Sequence, residues 1–219
     1  MKNEKINSKI IALWNKYFQN DTEVYAPMFY NDFKGGGLLF VGMNPSFSER
    51  GFKTILKGTE YEKIDPVLFF KWSHISSSPD LISDCITVEN YAYENYKPFF
   101  ARPIEISREV GLDWQHIDLF LYKETSQSDF KKRIMDRDSL NEFALEQITL
   151  FEEALLMIEP KCIIVANAFS SQLLREHIKG DLLWDTERGF HWFTKGGRKI
   201  PMLFSSMLSG QRALDRWSY

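Results

Sequence analysis

Residues 38–46 have the sequence Leu38-Leu39-Phe40-Val41-Gly42-Met43-Asn44-Pro45-Ser46. Its apolar first half predicts a strand over 38–43 that is covered on both faces, as strands of parallel sheets are. The polar end of the stretch carries the Asn44 amide and the Ser46 hydroxyl, and Gly42 lets the backbone come close to a ligand. Because ligands bind beyond the carboxyl ends of strands in open α/β sheets, this turn is a candidate site.

The remaining apolar patterns predict an alternation of strands and helices. Further strands are expected at 115–122, 162–166 and 200–204, with a hairpin formed by Trp184 and residues 190–193 around a turn at 185–189. Helices are expected at 4–19, 65–72, 90–110 with breaks near Pro98 and Pro103, 138–158, 168–178 and 211–217. The alternation predicts an α/β fold with a mainly parallel, helix-covered sheet. We expect one domain over 1–219, with an insertion-rich region at about 49–110.

The composition is that of a globular protein, with 219 residues, 44% hydrophobic and 26% charged. The formal net charge of −3 argues against a non-specific DNA coat protein but leaves room for a local basic patch. One candidate patch runs from Arg188 to Arg216, where six basic residues stand against Asp215 alone. The alternative interpretation of this stretch is a solvated hairpin and helix.

Cysteine and histidine usage points away from a metal or cofactor. Cys85 and Cys162 are too few for an iron–sulfur cluster or a cysteine-rich zinc site, and Cys162 is expected to be a buried free thiol. The four histidines lack the spacing of metal ligands.

The polar start of the chain predicts no signal peptide, and no apolar run reaches the roughly 20 residues that span a bilayer. From these features we expect a cytoplasmic protein with no membrane association. The expected oligomeric state is a monomer.

Polar side chains lie at or near the carboxyl ends of three predicted strands. They are the Asn44 and Ser46 turn, Asp118 within the second strand, and a last turn with Ser205, Ser206, Ser209 and Arg212. Parallel pairing would bring these ends to one edge of the sheet, where they would form a polar pocket. Each also has a structural interpretation. Asn44 would satisfy backbone groups of its turn, Asp118 would be a buried helix-capping acid, and the serines would cap the last helix.

Three segments together resemble the uracil-DNA glycosylase superfamily. Gly42-Met43-Asn44-Pro45-Ser46 is similar to its first motif, most closely to the mismatch-specific and single-strand-selective branches. Residues 162–174 resemble its third strand and the following helix, and residues 204–209 resemble its second motif. The resemblance implies a three-layer α/β/α fold with a central, mainly parallel four-stranded sheet. It also implies hydrolysis of the N-glycosidic bond of a base flipped out of DNA.

The resemblance also implies roles for residues of the first motif. Asn44 would position the attacking water, because an amide is not a general base. Backbone groups of Gly42 and Met43 would lie beside the base or the water, next to Pro45 and Ser46. Phe47 or Phe52 would stack on the base.

Other roles fall on later segments. Asp118 would accept a hydrogen bond from an amino group or a ring N–H at the base edge. Ser206 and Ser209 would bind the DNA backbone, with help from Arg212.

The chain departs from the family pattern at the second motif. The His or Asn that stabilises the departing base corresponds to Phe204, which has no hydrogen-bond donor. Ser205, in place of the family's proline, is the alternative donor, and Ser46 in place of glycine narrows the pocket mouth. Three hypotheses follow: a divergent DNA glycosylase acting on a damaged or modified base, a catalytically inactive nucleic-acid- or nucleobase-binding module of the same fold, and an unrelated α/β protein with coincident motifs.

Overall fold

A computed structural model describes residues 3–78, 80–206 and 208. The chain divides into two compact units. The first unit comprises Met1–Asp32, Asn44–Tyr96 and Phe120–Glu153. The second unit comprises Phe33–Met43, Lys97–Leu119 and Ala154–Tyr219. The expectation of a single domain stays a prediction.

The helices and strands of the described residues alternate along the chain. The helices are α1 (Glu4–Phe18), α2 (Glu49–Ile55), α3 (Pro66–Phe69), α4 (Trp72–Ile75), α5 (Leu81–Asn95), α6 (Lys97–Val110), α7 (Gln127–Ile134), α8 (Glu142–Ile158) and α9 (Ala168–His177), with a 3₁₀ turn at Lys179–Asp181. The strands are β1 (Leu38–Gly42), β2 (Trp114–Asp118), β3 (Met135–Asp136), β4 (Ser139–Leu140), β5 (Cys162–Ala166), β6 (Leu182–Asp185), β7 (Phe190–Lys195) and β8 (Arg198–Ser205).

The second unit is built on a sheet of six strands in the order β2-β1-β5-β8-β7-β6. Strands β2, β1, β5 and β8 run parallel, and β7 and β6 extend the sheet as antiparallel neighbours. The α/β class and the mainly parallel sheet are thus confirmed. The expected number of four strands is wrong, because the hairpin predicted around residues 185–189 pairs with β8 and lengthens the sheet.

Helices cover both faces of this sheet. Leu38 and Phe40 are buried on one face with Ile106 of α6. On the other face, the guanidinium of Arg175 in α9 lies 5.6 Å from the ring centroid of Phe204. Strand β1 is buried along its whole length, in keeping with its continuous apolar run. In β5, Ile163 and Val165 on one face are buried, whereas the residues on the other face are half-buried.

The first unit consists mainly of helices. Its α1 agrees with the predicted helix at 4–19, and its buried stripe includes Ile10 and Trp14. Trp14 packs on Phe143 of α8 with ring centroids 5.5 Å apart. No helix in the described ranges combines the length and the apolar character that crossing a membrane requires.

Strand β2 ends earlier than its apolar pattern predicts. The expected strand reached residue 122, but pairing stops at Asp118. Leu121 is buried outside the sheet. Its N–H donates to the Gln147 side chain at 2.8 Å, and its carbonyl accepts from the Met28 N–H at 3.0 Å. Residues 119–122 are therefore buried although they no longer pair with a strand of the sheet.

Three predicted helix limits are also wrong. The helix expected at 65–72 has its predicted Asp65 cap but ends at Phe69, because extended Lys71 bridges to Tyr25. The expected helix at 90–110 begins instead at Leu81, and its interruption at Tyr96 agrees with the break predicted near Pro98. The break predicted near Pro103 is wrong, because Pro103 lies inside α6.

The helix expected from Asp138 begins only at Glu142. Residues 139–140 pair with β3, and the Asn141 side chain then accepts from the Ala144 N–H at 3.0 Å. The helix expected at 211–217 lies outside the described residues.

Candidate functional site

The four parallel strands of the second unit end side by side. Gly42 of β1 is in register with Asp118 of β2, and Ala166 of β5 is in register with Ser205 of β8. Side chains alternate along a strand, so these four residues lie on one face of the sheet, at its carboxyl edge. In such sheets this edge is the usual place for a ligand.

A buried carboxylate–imidazole pair occupies part of this edge. Oδ1 of Asp118 lies 3.2 Å from Nε2 of His116, and their side chains are 7% and 4% exposed. A β-carbon on Gly42 would overlap this Oδ1 and come within 2.9 Å of the His116 ring. On this face, the space left by the missing Gly42 side chain is therefore filled by protein groups.

His116 is not among the residues predicted for the site, because its spacing from the other histidines is not that of a metal ligand. Its position two residues before Asp118 on a strand places both side chains on the same face. The rings of Phe99 and Phe100 stand edge-on to the imidazole, with centroids 5.7 and 5.3 Å away. In the sequence, the signal for this pair was the spacing of two residues between His116 and Asp118 within a predicted strand.

The end of β8 divides its side chains between the two faces. The carbonyl of Ser205 accepts from Ser171 Oγ at 2.8 Å, which ties the strand end to α9. Phe204 is buried on the opposite face from Ser205, edge-on to His191 with centroids 5.4 Å apart. Burial, with the Arg175 guanidinium nearby, lowers the pKa of His191 from its ordinary value of 6.5. Ser206 Oγ is buried and has no hydrogen-bond partner among the described residues.

The predicted DNA-contact residues Ser209 and Arg212 lie outside the described residues. The nearby basic residues of the described chain are largely paired. Arg188 lies 3.1 Å from Asp185, Lys195 lies 3.6 Å from Asp181, and Arg198 pairs with Glu159. Lys199 instead lies over the Trp192 ring, 4.6 Å from its centroid. For the described residues between Arg188 and Lys199, a solvated hairpin is therefore a better interpretation than a basic patch for nucleic acid.

The loop that carries Asn44 belongs to the first unit. The Nδ2 of Asn44 donates to the carbonyls of Glu124 at 2.7 Å, Tyr122 at 3.2 Å and Pro45 at 3.2 Å. The loop backbone is tied to the same segment, since Glu124 N–H donates to the Pro45 carbonyl at 3.0 Å. Within the described chain no donor meets the Asn44 side-chain oxygen. The amide is thus held by its nitrogen, and its oxygen is left as an acceptor.

The neighbouring candidates of this loop differ in exposure. Met43 is buried, Ser46 is exposed, and Pro45 is half-buried. Phe47 is half-buried and stacks on Tyr25, with centroids 4.1 Å apart and planes at 24°.

Phe52 is buried against Phe70, with ring centroids 4.8 Å apart. Of the two aromatic candidates, Phe47 alone keeps substantial exposure.

The described residues contain no group of three histidine, cysteine, aspartate or glutamate side chains arranged to hold a metal ion. In comparisons with known proteins, no family model and no curated sequence matches the chain.

Proposed function

We propose that this protein is a divergent DNA glycosylase of the uracil-DNA glycosylase type, which hydrolyses the N-glycosidic bond of a damaged or modified base. The three-layer α/β/α architecture of that family belongs to the same proposal. The sheet of the second unit supports it, with four adjacent parallel strands and a helix on each face.

The observation that carries the proposal is the fixed amide of Asn44. Three backbone carbonyls orient its nitrogen, so its oxygen has one defined direction in which to accept a hydrogen bond. A water that donates to this oxygen would be placed to attack the sugar carbon as the bond to the base breaks. Such placement accelerates a reaction by removing the entropy cost of bringing the reactants together.

The test is an assay of base release from oligonucleotides that carry uracil, hypoxanthine, xanthine or alkylated bases, both single- and double-stranded. We expect release from at least one substrate and a loss of about a hundredfold in kcat for Asn44→Ala. The matched control is Asn95→Ala, which removes an exposed amide bound to the Tyr91 carbonyl at 2.9 Å. Absence of release from every substrate at high enzyme concentration would overturn the proposal.

A second candidate function is nucleobase or nucleic-acid binding without catalysis. Phe204 favours it, because a buried phenylalanine replaces the donor that stabilises the leaving base. DNA binding that weakens steeply with salt, without release of a base, would support this function over catalysis.

A further inference from the structure

The orientation of the Asn44 amide depends on a segment without regular secondary structure. Residues 120–124 belong to neither a helix nor a strand. Two of the three carbonyls that receive the amide, those of Tyr122 and Glu124, lie in this segment. Whatever holds this segment in place therefore also sets the direction of the Asn44 oxygen.

Lys123 lies between these two carbonyls in sequence and anchors the segment. Its Nζ lies 2.6 Å from Glu89 Oε1 of α5 and donates to the carbonyls of Ala26 and Pro27, both at 2.9 Å. Two of the three N–H donors of the ammonium are thus directed to backbone carbonyls, and the Glu89 carboxylate balances its charge as an ion pair. The side chains of Lys123 and Glu89 are only 2% and 8% exposed.

A buried ion pair of this kind is a poor source of stability. The cost of removing two charges from water offsets most of their attraction, so apolar replacement of a whole pair is often neutral. What such a pair does contribute is a single geometry, because the ammonium tolerates few alternative positions once it is buried. Here that geometry places one backbone segment against both Pro27 and α5.

We propose that Lys123, held by Glu89, is a positioning residue for Asn44. It fixes the carbonyls of Tyr122 and Glu124, which orient the amide, without touching any reacting group. The catalytic consequence rests on the proposed function, whereas the positioning itself is a property of the folded chain.

The experiment compares the Asn44 side-chain amide in the wild type and in Lys123→Met/Glu89→Gln. The double variant removes both charges, whereas Lys123→Met alone would leave a buried unpaired carboxylate. In nuclear magnetic resonance spectra, the Asn44 side-chain signals are assigned by their loss in Asn44→Ala. We expect protected signals in the wild type and hydrogen exchange faster by roughly tenfold or more in the double variant.

The matched control is Lys9→Met/Glu153→Gln, which removes an ion pair of the same unit whose side chains are 45% and 38% exposed. This control should leave the Asn44 signals unchanged. Should the buried double variant fail to fold, Glu89→Asp shortens the acid while keeping both charges, and a smaller change in the same direction is expected. Unchanged Asn44 signals in a folded variant of the buried pair would overturn the proposal.

The activity assay separates this proposal from the proposed function. If Lys123 acts through Asn44, adding Asn44→Ala to the buried double variant lowers kcat no further than Asn44→Ala does alone. A wild type that releases no base overturns the glycosylase proposal, and the amide signals still decide whether Lys123 positions Asn44.

Discussion

Asp118 and Gly42 are partners across the pair β2 and β1, and the carboxylate of Asp118 occupies the place where a Gly42 side chain would lie. The carboxylate is held there by His116, whose Nε2 is 3.2 Å from Oδ1. Glycine at this position is therefore required by a neighbouring side chain of the protein itself. The sequence suggested a different reason, namely close approach of the backbone to a ligand.

We predict that Gly42→Ala destabilises the protein by about 1–3 kcal/mol, as overpacking of a filled interior does. The new methyl group would force the Asp118 carboxylate away from His116. The free energy of unfolding, measured by urea denaturation, checks this prediction. Gly180→Ala is the matched control, since a β-carbon there meets open space. Additive effects of Gly42→Ala and Asp118→Ser would contradict the proposed overlap, because residues in contact should couple.

The Asn44 amide makes a second prediction about stability. Asn44→Asp places an oxygen against three carbonyl oxygens, whereas Asn44→Ala leaves a gap that water can enter beside this half-buried residue. We expect the aspartate variant to lose about 1–3 kcal/mol and the alanine variant less. Denaturation of both variants at neutral pH provides the measurement, and equal losses would count against the donor role of Nδ2.

The lowered pKa of His191 predicts a pH dependence of stability. The unfolded chain binds a proton at this residue near pH 6.5, whereas the native chain resists it because the imidazole is partly buried near Arg175. As the pH falls through 6.5, the unfolded state therefore binds more protons than the native state does. The free energy of unfolding then decreases until the pH passes the lower pKa of the native state. We expect His191→Gln to lose less stability than the wild type between pH 7.5 and 5. Unfolding curves that shift equally in both proteins would rule this out.

Both cysteines should be poorly reactive in the native state. Burial raises the pKa of Cys162 from 9.0 to about 11 and raises that of Cys85 further. The thiolate is the reactive form, so Cys162 should alkylate roughly a hundredfold more slowly than an ordinary thiol, and Cys85 more slowly still. Mass spectrometry after timed alkylation, native and in denaturant, measures both rates. Rapid native labelling of Cys85 would contradict its burial.

Elements with a strong local pattern were predictable from the sequence. The continuous apolar runs at 38–42 and 162–166 and the helices α1 and α9 agree with their predicted limits within a residue or two. The hairpin around residues 185–189 was also predicted, because aromatic strands flank a polar turn. In each case, the signal lies within a window of about ten residues.

Sites that depend on distant partners were not predictable in this way. Pairing of the hairpin with β8 and the end of β2 at Asp118 are set by which segments meet, and the apolar pattern of residues 119–122 reports only burial. The sequence indicates polar residues near the strand ends, but it does not indicate which groups they contact.

The sequence by itself determined the α/β class, the main strands and the polar residues at the strand ends, because hydrophobic periodicity and turn chemistry are local properties. Only the tertiary structure decided that Asp118 covers Gly42, that Phe204 is buried on the face opposite Ser205, and that Lys123 is buried beside Glu89. Lys123 and Glu89 are separated by 34 positions in the chain. Their short distance comes from the packing of whole segments, which no local pattern encodes.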